Sequence, residues 1–392
     1  MKILVVNAGS SSLKFKMYDM PSEEVLISGV FERIGIEGSF YTVKVNGDKE
    51  EKHVELKDHK KAFEILVEEL VNNNIVESLD EVEAIGHRVV QGGSFFDKSV
   101  IASSEVKEKI VELNPLAPLH NPAAITGINA AEEVFPNAVQ TVVFDTAFHQ
   151  TMPEENYLYA LPYEMCEENL VRRYGAHGTS HRYVSLKMNE ILGRDDTKLI
   201  TCHIGNGASI SAVLNGKCLN TSMGLTPNAG LIMGTRCGDI DASILPYIME
   251  KLNLSCKEID NIMNKQSGLL GISGVSSDSR DIENGIKEGN KRCELAQKMY
   301  VRRIIDYIAK YYAELGGCDG IIFTAGVGEN SVPVRRQVME GLKVFGVTLD
   351  EEKNNIRGSL QKISTNDSTI PVYVIPTDEE VMIARDTYGL AK

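Results

Sequence analysis

No apolar run in this chain of 392 residues approaches the roughly 20 residues that a membrane-spanning helix needs. The apolar start, Ile3–Val6, is too short for a signal peptide and leads into a glycine- and serine-rich turn. Hydrophobic residues make up 43% of the chain and charged residues 24%, which is ordinary for a globular protein. We therefore expect a cytoplasmic protein that is long enough for two domains with full cores.

Cysteine is sparse, and no two cysteines form a Cys-x-x-Cys pair. An odd and scattered set argues against both a disulfide framework and a structural zinc site. A bystander thiol is a better interpretation of Cys237 than a nucleophile. The seven cysteines are Cys166, Cys202, Cys218, Cys237, Cys256, Cys293 and Cys318.

The chain also lacks an excess of positive charge, since its formal net charge is −14. This balance disfavours nucleic acid and anionic membrane surfaces as partners. An acidic protein that binds anions must use a few well-placed arginines, so an arginine beside glycine or histidine is a candidate binding residue. Arg88 follows His87, and Arg236 lies among glycines. Taken alone, Arg88 fits a surface salt bridge equally well.

There is no Gly-x-x-x-x-Gly-Lys-Ser/Thr loop, so a nucleotide site must depend on other glycine-rich turns. Residues 198–217 predict two strands joined by a tight turn at Gly205–Gly207. Such a turn exposes backbone N–H groups to an approaching phosphate. Residues 2–19 repeat this plan around a glycine- and serine-rich turn. One such hairpin fits an ordinary turn, but two of them predict a duplicated protein that holds a phosphate between its halves.

Helical spacing of apolar residues predicts helices over 58–74, about 123–134 and 291–315. Strands are predicted over 84–93, 139–145 and 372–375, and a further strand from 319 runs into Gly326-x-Gly328. Asp145 ends its strand, where open α/β sheets bind ligands. His177 lies among small residues just before a helix. His120 also precedes a helix, as a helix-start hydrogen bonder or as a ligand contact.

Nine segments together resemble the acetate kinase family, within the actin, Hsp70 and sugar-kinase superfamily. They occur in family order from residue 3 to about 384. The segments are Asn7–Ser12, His87–Gly93, Leu119–Pro122, Phe144–Phe148, His177–His181, His203–Gly207, Met233–Asp239, Gly326–Asn330 and Thr377–Glu380. The resemblance implies an α/β fold duplicated in two domains, ribonuclease H-like, with the active site in the cleft between them. It further implies that residues 1–148 and helix 381–392 form the domain on the carboxylate and phosphate side. Residues 149–380 would form the domain that binds the nucleotide and makes the dimer interface of a homodimer.

The resemblance also implies a role for each matching residue. Asn7 and Glu379 resemble the family's Mg²⁺ residues, with Mn²⁺ as a substitute for that ion. Asp145, His177 and Arg236 resemble its catalytic residues, and Arg88 resembles the arginine that binds the substrate carboxylate. Val90, Leu119 and Pro227 are expected to line the acyl pocket, with His120 nearby. Taken alone, Ser276–Asp281 also fits a solvated helix start. The implied ATP/ADP contacts are Lys14, His203, Ile204, Gly205, Asn206, Gly207, Asp278, Ser279, Arg280, Gly326, Val327, Gly328, Glu329 and Asn330.

The residue types suit transfer of a phosphoryl group to a carboxylate. A carboxylate with a pKa of about 4 to 5 is already ionised at neutral pH, so little acid or base catalysis is needed. Two anions must instead be aligned and their charge dispersed. We therefore expect Asp145 to organise the metal, its water or an arginine rather than to deprotonate the substrate.

Two departures from the family pattern bear on the acyl group. Ala176 replaces a common phenylalanine, and Asn228-Ala229 replaces the usual Leu-Glu. A smaller residue 176 could admit propionate, although one methylene changes discrimination by only about 1–3 kcal/mol. Acetate is the predicted substrate. The alternatives are a propionate or butyrate kinase, a sugar kinase, and a non-catalytic Hsp70-like ATP-binding module; the last would not need Arg88, His177 and Arg236.

Overall fold

The computed structural model describes residues 1–392, which form two compact units. Unit 1 comprises residues 1–150 and 378–392, and unit 2 comprises residues 151–377. The domain boundaries predicted from the sequence, at 148 and 380, lie within a few residues of these. None of the helices is long and apolar enough to span a membrane.

Unit 1 contains eight strands in one sheet. They are Lys2–Ala8 (β1), Ser12–Asp19 (β2), Glu24–Glu32 (β3), Phe40–Val45 (β4), Asp48–His53 (β5), Val82–Val89 (β6), Val100–Ile101 (β7) and Val139–Phe144 (β8), in the spatial order β5-β4-β3-β2-β1-β6-β8-β7. The helices are His59–Asn72 (α1), Ser104–Glu112 (α2), Asn121–Val134 (α3) and, at the C-terminus, Glu379–Ala391 (α15).

Unit 2 contains six strands in one sheet. They are Lys198–Ile204 (β9), Ala208–Leu214 (β10), Lys217–Thr221 (β11), Gly320–Thr324 (β12), Gln361–Lys362 (β13) and Val372–Val374 (β14), in the order β11-β10-β9-β12-β14-β13. Its helices are Glu154–Tyr157 (α4), Glu164–Asn169 (α5), Gly178–Leu192 (α6), Ile244–Leu252 (α7), Cys256–Lys265 (α8), Gly268–Ser273 (α9), Ser279–Lys287 (α10), Lys291–Leu315 (α11), Ala325–Asn330 (α12), Val332–Gly341 (α13) and Glu351–Asn354 (α14). Short 3-10 turns cover Leu79–Glu81, Asn114–Leu116, Ala147–Thr151 and Lys343–Phe345.

The two sheets repeat one strand pattern, which confirms the predicted duplicated α/β fold. In unit 1, β1 pairs antiparallel with β2 and parallel with β6, and β6 pairs parallel with β8. In unit 2, β9 pairs antiparallel with β10 and parallel with β12, and β12 pairs parallel with β14. Both hairpins predicted from glycine-rich turns are present, at β1–β2 and at β9–β10.

Helix ends follow local sequence signals. The side chain of Asp58 accepts a hydrogen bond from the Lys61 backbone N–H and begins α1, whose Phe63, Leu66 and Leu70 are buried in the unit 1 core. Gly316 ends α11 in a left-handed conformation, as its glycine predicts. These helices match their predicted spans closely.

The sequence predicts only a glycine-rich strand end, at Gly326-x-Gly328, for the segment after β12. Residues 325–330 form the short helix α12 instead. The Glu329 carboxylate accepts hydrogen bonds from the Ala325 N–H at 2.8 Å and from the Thr377 N–H at 3.1 Å. These bonds within unit 2 stabilise a helical turn that two glycines alone would disfavour.

Gly86 on β6 lets α15 pack against the unit 1 sheet. A Cβ at this position would lie 2.3 Å from Thr387 Oγ1 and 2.7 Å from Ile383 Cγ2. The Gly86→Ala variant is therefore expected to lose about 1–3 kcal/mol of unfolding free energy through overpacking, as measured by urea denaturation. Gly389→Ala is the control on α15, where a Cβ meets nothing within 4 Å; it should gain about 0.5–1 kcal/mol. Equal effects of both substitutions would contradict this account.

Candidate active site

Arg88 and Asp145 form an ion pair at the carboxyl ends of two neighbouring parallel strands. Because β6 pairs with β8, the last residues of the two strands lie side by side, and the Asp145 N–H donates to Val89 O at 2.9 Å. Arg88 Nε donates to Asp145 Oδ1 at 3.0 Å, and Nη2 donates to Oδ2 at 2.6 Å. Asp145 is 1% exposed. This geometry is that of a carboxylate that fixes an arginine, so one of the three roles expected for Asp145 corresponds to an observed contact.

A cavity of about 350 Å³ in unit 1 brings together Asn7, Lys14, Arg88 and Glu379. Glu379 begins α15, and its carboxylate lies 3.9 Å from Arg88 Nε. Burial raises the pKa of Glu379 to about 7; Arg88 lowers it, and the charges of Asp145 and Glu380 raise it. Lys14, expected among the ATP contacts, lies in this cavity with the predicted metal residues.

His87, next to Arg88, is buried and neutral. Its Nε2 lies 2.7 Å from Gln140 Oε1, and burial lowers the pKa of His87 to about 4. A histidine whose folded pKa is depressed contributes stability that is lost as the pH falls from about 6.5 to about 4. We expect His87 to account for up to about 3 kcal/mol of that loss. The check is urea unfolding across this pH range, where His87→Gln should show a shallower decline than the parent; parallel curves would contradict it.

A second cavity, of about 560 Å³, lies in unit 2 and is lined by many of the predicted ATP residues. The predicted residues that line it are Gly205, Asn206, Asp278, Ser279, Arg280, Gly326, Val327 and Asn330. Asp278 also caps α10, because its side chain accepts from the Arg280 N–H at 2.8 Å. The helix-start interpretation and the binding interpretation of this segment are therefore compatible.

Besides Lys14, five predicted ATP residues lie outside this lining. Ile204 is part of the unit 2 core, and Gly328 accepts a hydrogen bond from Arg335. His203 Nδ1 contacts Ser180 Oγ at 2.8 Å, and the Glu329 carboxylate binds backbone N–H groups. Gly207 lies beside the residues predicted to be catalytic. Their contacts with ATP remain predictions.

His177 and Arg236 meet at Gly207. The position that a Cβ would take at Gly207 is 3.6 Å from His177 Nε2 and 3.4 Å from Arg236 Nη1. The absence of a side chain there leaves room for a ligand to reach both groups. Three residues far apart in sequence, each expected at the site, are thus brought together within unit 2.

Arg236 is a partly buried cation without a carboxylate partner. Its Nη1 contacts are Pro227 O at 3.4 Å and Met233 Sδ at 3.9 Å. Burial alone lowers the pKa of Arg236. A desolvated guanidinium without a countercharge favours an anionic ligand.

The imidazole of His177 is held by a buried network of side chains. His177 caps α6 with a left-handed backbone, φ 60° and ψ 23°. Its Nδ1 lies 2.9 Å from Ser209 Oγ, which is also 2.7 Å from His181 Nε2. His203 stacks on His177 with ring centroids 4.0 Å apart. On the side of Gly207, Nε2 lies 3.6 Å from the position that a Cβ would take there.

The predicted acyl-pocket residues are more exposed than an apolar pocket suggests. Leu119 is 68% exposed, and His120 is exposed and does not cap α3 through its side chain. Val90 and Pro227 are half-buried. Ala176, considered as a pocket-widening residue, is buried in the unit 2 core. That burial weakens the argument that residue 176 sets the acyl group.

Several lining residues of the unit 2 cavity were not predicted from the sequence. They are Gly234, Leu269, Ser277, Glu283, Ser331 and Arg357. Arg357 precedes Gly358, so the criterion of an arginine beside glycine could have found it. Gly234 and Ser277 lie inside segments singled out above, Met233–Asp239 and Ser276–Asp281, without having been named as contacts. Leu269, Glu283 and Ser331 carry no comparable local signal.

Sequence comparisons identify close relatives over the full length. A family model described as the acetokinase family matches residues 2–385. The chain is 54% identical to an acetate kinase of Clostridium novyi, over 99% of this chain and 98% of that protein. It is also 54% identical to an acetate kinase of Bacillus subtilis, over the whole of both chains.

Solved structures agree with this assignment. The fold matches an acetate kinase of Porphyromonas gingivalis with a TM-score of 0.95 and 48% identity, over 100% of both chains. It matches a propionate kinase of Francisella tularensis with a TM-score of 0.94 and 43% identity, over 99% of both chains. The chain belongs to the acetokinase family.

Proposed function

We propose that this protein is an acetate kinase, which reversibly transfers the γ-phosphoryl group of ATP to acetate to give acetyl phosphate and ADP. The observation that carries the proposal is the partly buried Arg236 guanidinium, which has no carboxylate partner and lies beside His177 Nε2 at Gly207. The names of the relatives support the same reaction.

Arg88 is the proposed ligand of the acetate carboxylate. Asp145 holds its Nε and Nη2 groups, which leaves Nη1 for the substrate. A bidentate partner fixes the plane of a guanidinium and thereby orients a bound carboxylate. The bound acetate needs no base because it is already ionised at neutral pH. Asp145 therefore acts on Arg88 rather than on a proton of the substrate.

Arg236 and His177 are the proposed partners of the transferring phosphoryl group. Charge spreads over its equatorial oxygens during in-line transfer, and fixed donors there lower the barrier most. Arg236 supplies a permanent cation, and the buried network holds His177 Nε2 toward the same point. Direct transfer from ATP to acetate then requires only that the two substrates be aligned.

The unit 2 cavity is the proposed ATP site. Gly205 and Gly326 line this cavity without side chains, and α10 begins at it, where a helix N-terminus suits phosphate. Because ATP is the donor and all seven cysteines are free thiols, we propose a cytoplasmic location.

Mg²⁺ is the proposed metal, held by Asn7 and Glu379. Both residues line the unit 1 cavity and offer oxygen donors, which Mg²⁺ prefers. Two protein ligands suffice, since this ion commonly keeps waters and binds substrate phosphates. The raised pKa of Glu379 means that its ionised form is disfavoured in this cavity. A bound cation would favour that form, so the carboxylate suits a metal site. When bound, Mg²⁺ neutralises charge on the phosphoryl oxygens.

A hydroxamate-trapping assay tests the proposed reaction. Purified protein, ATP and Mg²⁺ are incubated with acetate, propionate or butyrate, and the acyl phosphate is trapped with hydroxylamine. We expect acetate to give the highest kcat/KM. Arg236→Ala, prepared in parallel, controls for a contaminating kinase. The absence of acyl phosphate from every acid would contradict the proposal, and a preference for propionate would replace acetate with that substrate.

A homodimer is proposed through α7 of unit 2. This helix buries none of its residues, and even its large apolar side chains are exposed: Ile244 by 41%, Tyr247 by 58% and Leu252 by 61%. A second copy of the chain is the proposed cover for this apolar face. We expect Tyr247→Glu to raise the dimer dissociation constant at least tenfold in light-scattering measurements, with Lys257→Glu on α8 as the control. An unchanged dimer would contradict the role of α7.

A further inference from the structure

Asp239 closes the loop that carries Arg236. Its Oδ1 accepts a hydrogen bond from the Gly230 N–H at 2.7 Å, and its own N–H donates to Gly230 O at 3.0 Å. Gly238 has φ +68°, and a Cβ there would lie 2.4 Å from Leu231 O. Residues 230–239 thus form a tightly closed loop whose two ends are joined by Asp239.

Two side chains of α11 hold the base of this loop. Tyr307 Oη donates to Asp239 Oδ2 at 2.5 Å. Arg303 Nη1 donates to Gly230 O at 2.9 Å and to Asp239 O at 3.2 Å. Tyr307 is 9% exposed, so its hydrogen bond is largely shielded from water. Both loop ends are therefore fixed to one long helix of the unit 2 core.

The hydrogen bonds of Tyr307 and Arg303 to Asp239 and Gly230, called the clamp below, also determine which charged groups contact Arg236. Asp239 is only three residues from Arg236 and could neutralise it, but both of its carboxylate oxygens accept hydrogen bonds at the base of the loop. Arg236 accordingly contacts a carbonyl and a thioether sulfur, and no carboxylate.

Building on the proposed function, we infer that Tyr307, Arg303 and Asp239 are positioning residues for phosphoryl transfer. They hold the 230–239 loop so that Arg236 lies beside His177, and they keep the Asp239 carboxylate from pairing with the Arg236 guanidinium. A displacement of a catalytic group by about 1 Å can cost 10²-fold in rate.

The first test compares two tyrosines of α11. Tyr307→Phe should lower kcat on the order of tenfold, with KM for ATP and for acetate within about twofold of the parent, because it acts on a transition-state group. Tyr300→Phe is the matched control: the Tyr300 hydroxyl is buried on the same helix without a hydrogen-bond partner. Its kcat should not change. An unchanged kcat for Tyr307→Phe, with only a lower melting temperature, would overturn the inference.

The second test is a double-mutant cycle. If Tyr307 acts through Arg236, Tyr307→Phe should reduce kcat by less than twofold in an Arg236→Ala background. A full tenfold reduction in that background would show that Tyr307 acts independently of Arg236, which also overturns the inference. Failure of the proposed function has a different signature, because Arg236→Ala would then retain the parent kcat, or the parent would form no acyl phosphate.

Discussion

The Arg236→Ala variant is expected to lose kcat on the order of 10³-fold while its KM for ATP changes little. Arg236 is a desolvated cation that contacts no carboxylate, so its charge is available to the phosphoryl group as charge develops in the transition state. The nucleotide itself is expected in the cavity lined by Asn206, Ser279 and Asn330, which does not include Arg236. When a substitution removes an interaction that is made only in the transition state and leaves substrate binding intact, kcat and kcat/KM fall by the same factor.

The measurement for Arg236 is steady-state kinetics in both directions of the reaction. Arg302→Ala serves as a matched control, since Arg302 is a 76% exposed arginine that pairs with Asp306 on the outer side of α11. Its kcat should stay within about twofold of the parent. If Arg236→Ala instead raised the KM for ATP and kept kcat, Arg236 would be a nucleotide ligand and the proposed role would be wrong.

The Asp145→Asn variant is expected to lower kcat/KM for acetate by about 10²- to 10³-fold, mainly through a higher KM for acetate. The substitution keeps the shape of the side chain but removes the charge that holds Arg88 Nε and Nη2. Arg88 then loses its fixed orientation toward the substrate carboxylate. A general base would show a different result, namely a lower kcat with KM for acetate unchanged.

Kinetics with varied acetate and varied Mg²⁺ test the Asp145 prediction, with urea unfolding as the check that the variant remains folded. Asp97→Asn is a suitable control, because Asp97 is an exposed carboxylate of unit 1. Near-normal turnover of Asp145→Asn with unchanged Mg²⁺ dependence would show that Asp145 organises neither the arginine nor the metal.

Much of the fold follows from local sequence signals. Glycine-rich turns predicted both hairpins, and apolar spacing predicted α1 and α11 with their ends. The helix α12 has no such signal, because the Glu329 carboxylate that stabilises its start is itself held by the Thr377 N–H, 48 positions away. Local propensity cannot include such bonds.

Part of the candidate site is expected from the sequence as a set of residues, but its geometry is not. Arg88 and Asp145 are 57 residues apart, and only the β6–β8 pairing shows that they contact each other. The family resemblance implies that Lys14 contacts ATP, whereas the structure of unit 1 places Lys14 in one cavity with Asn7 and Glu379. The clamp formed by Tyr307 has no motif at all, since an apolar stripe on a long helix predicts only core packing.

The left-handed backbone of His177 has a consequence for engineering this protein. A non-glycine residue at φ 60° costs on the order of 1–2 kcal/mol, which glycine would largely avoid. Selection for thermostability alone should therefore enrich glycine or asparagine at position 177, and these substitutions would remove the imidazole beside Arg236. Libraries meant to stabilise the enzyme should keep this one position fixed.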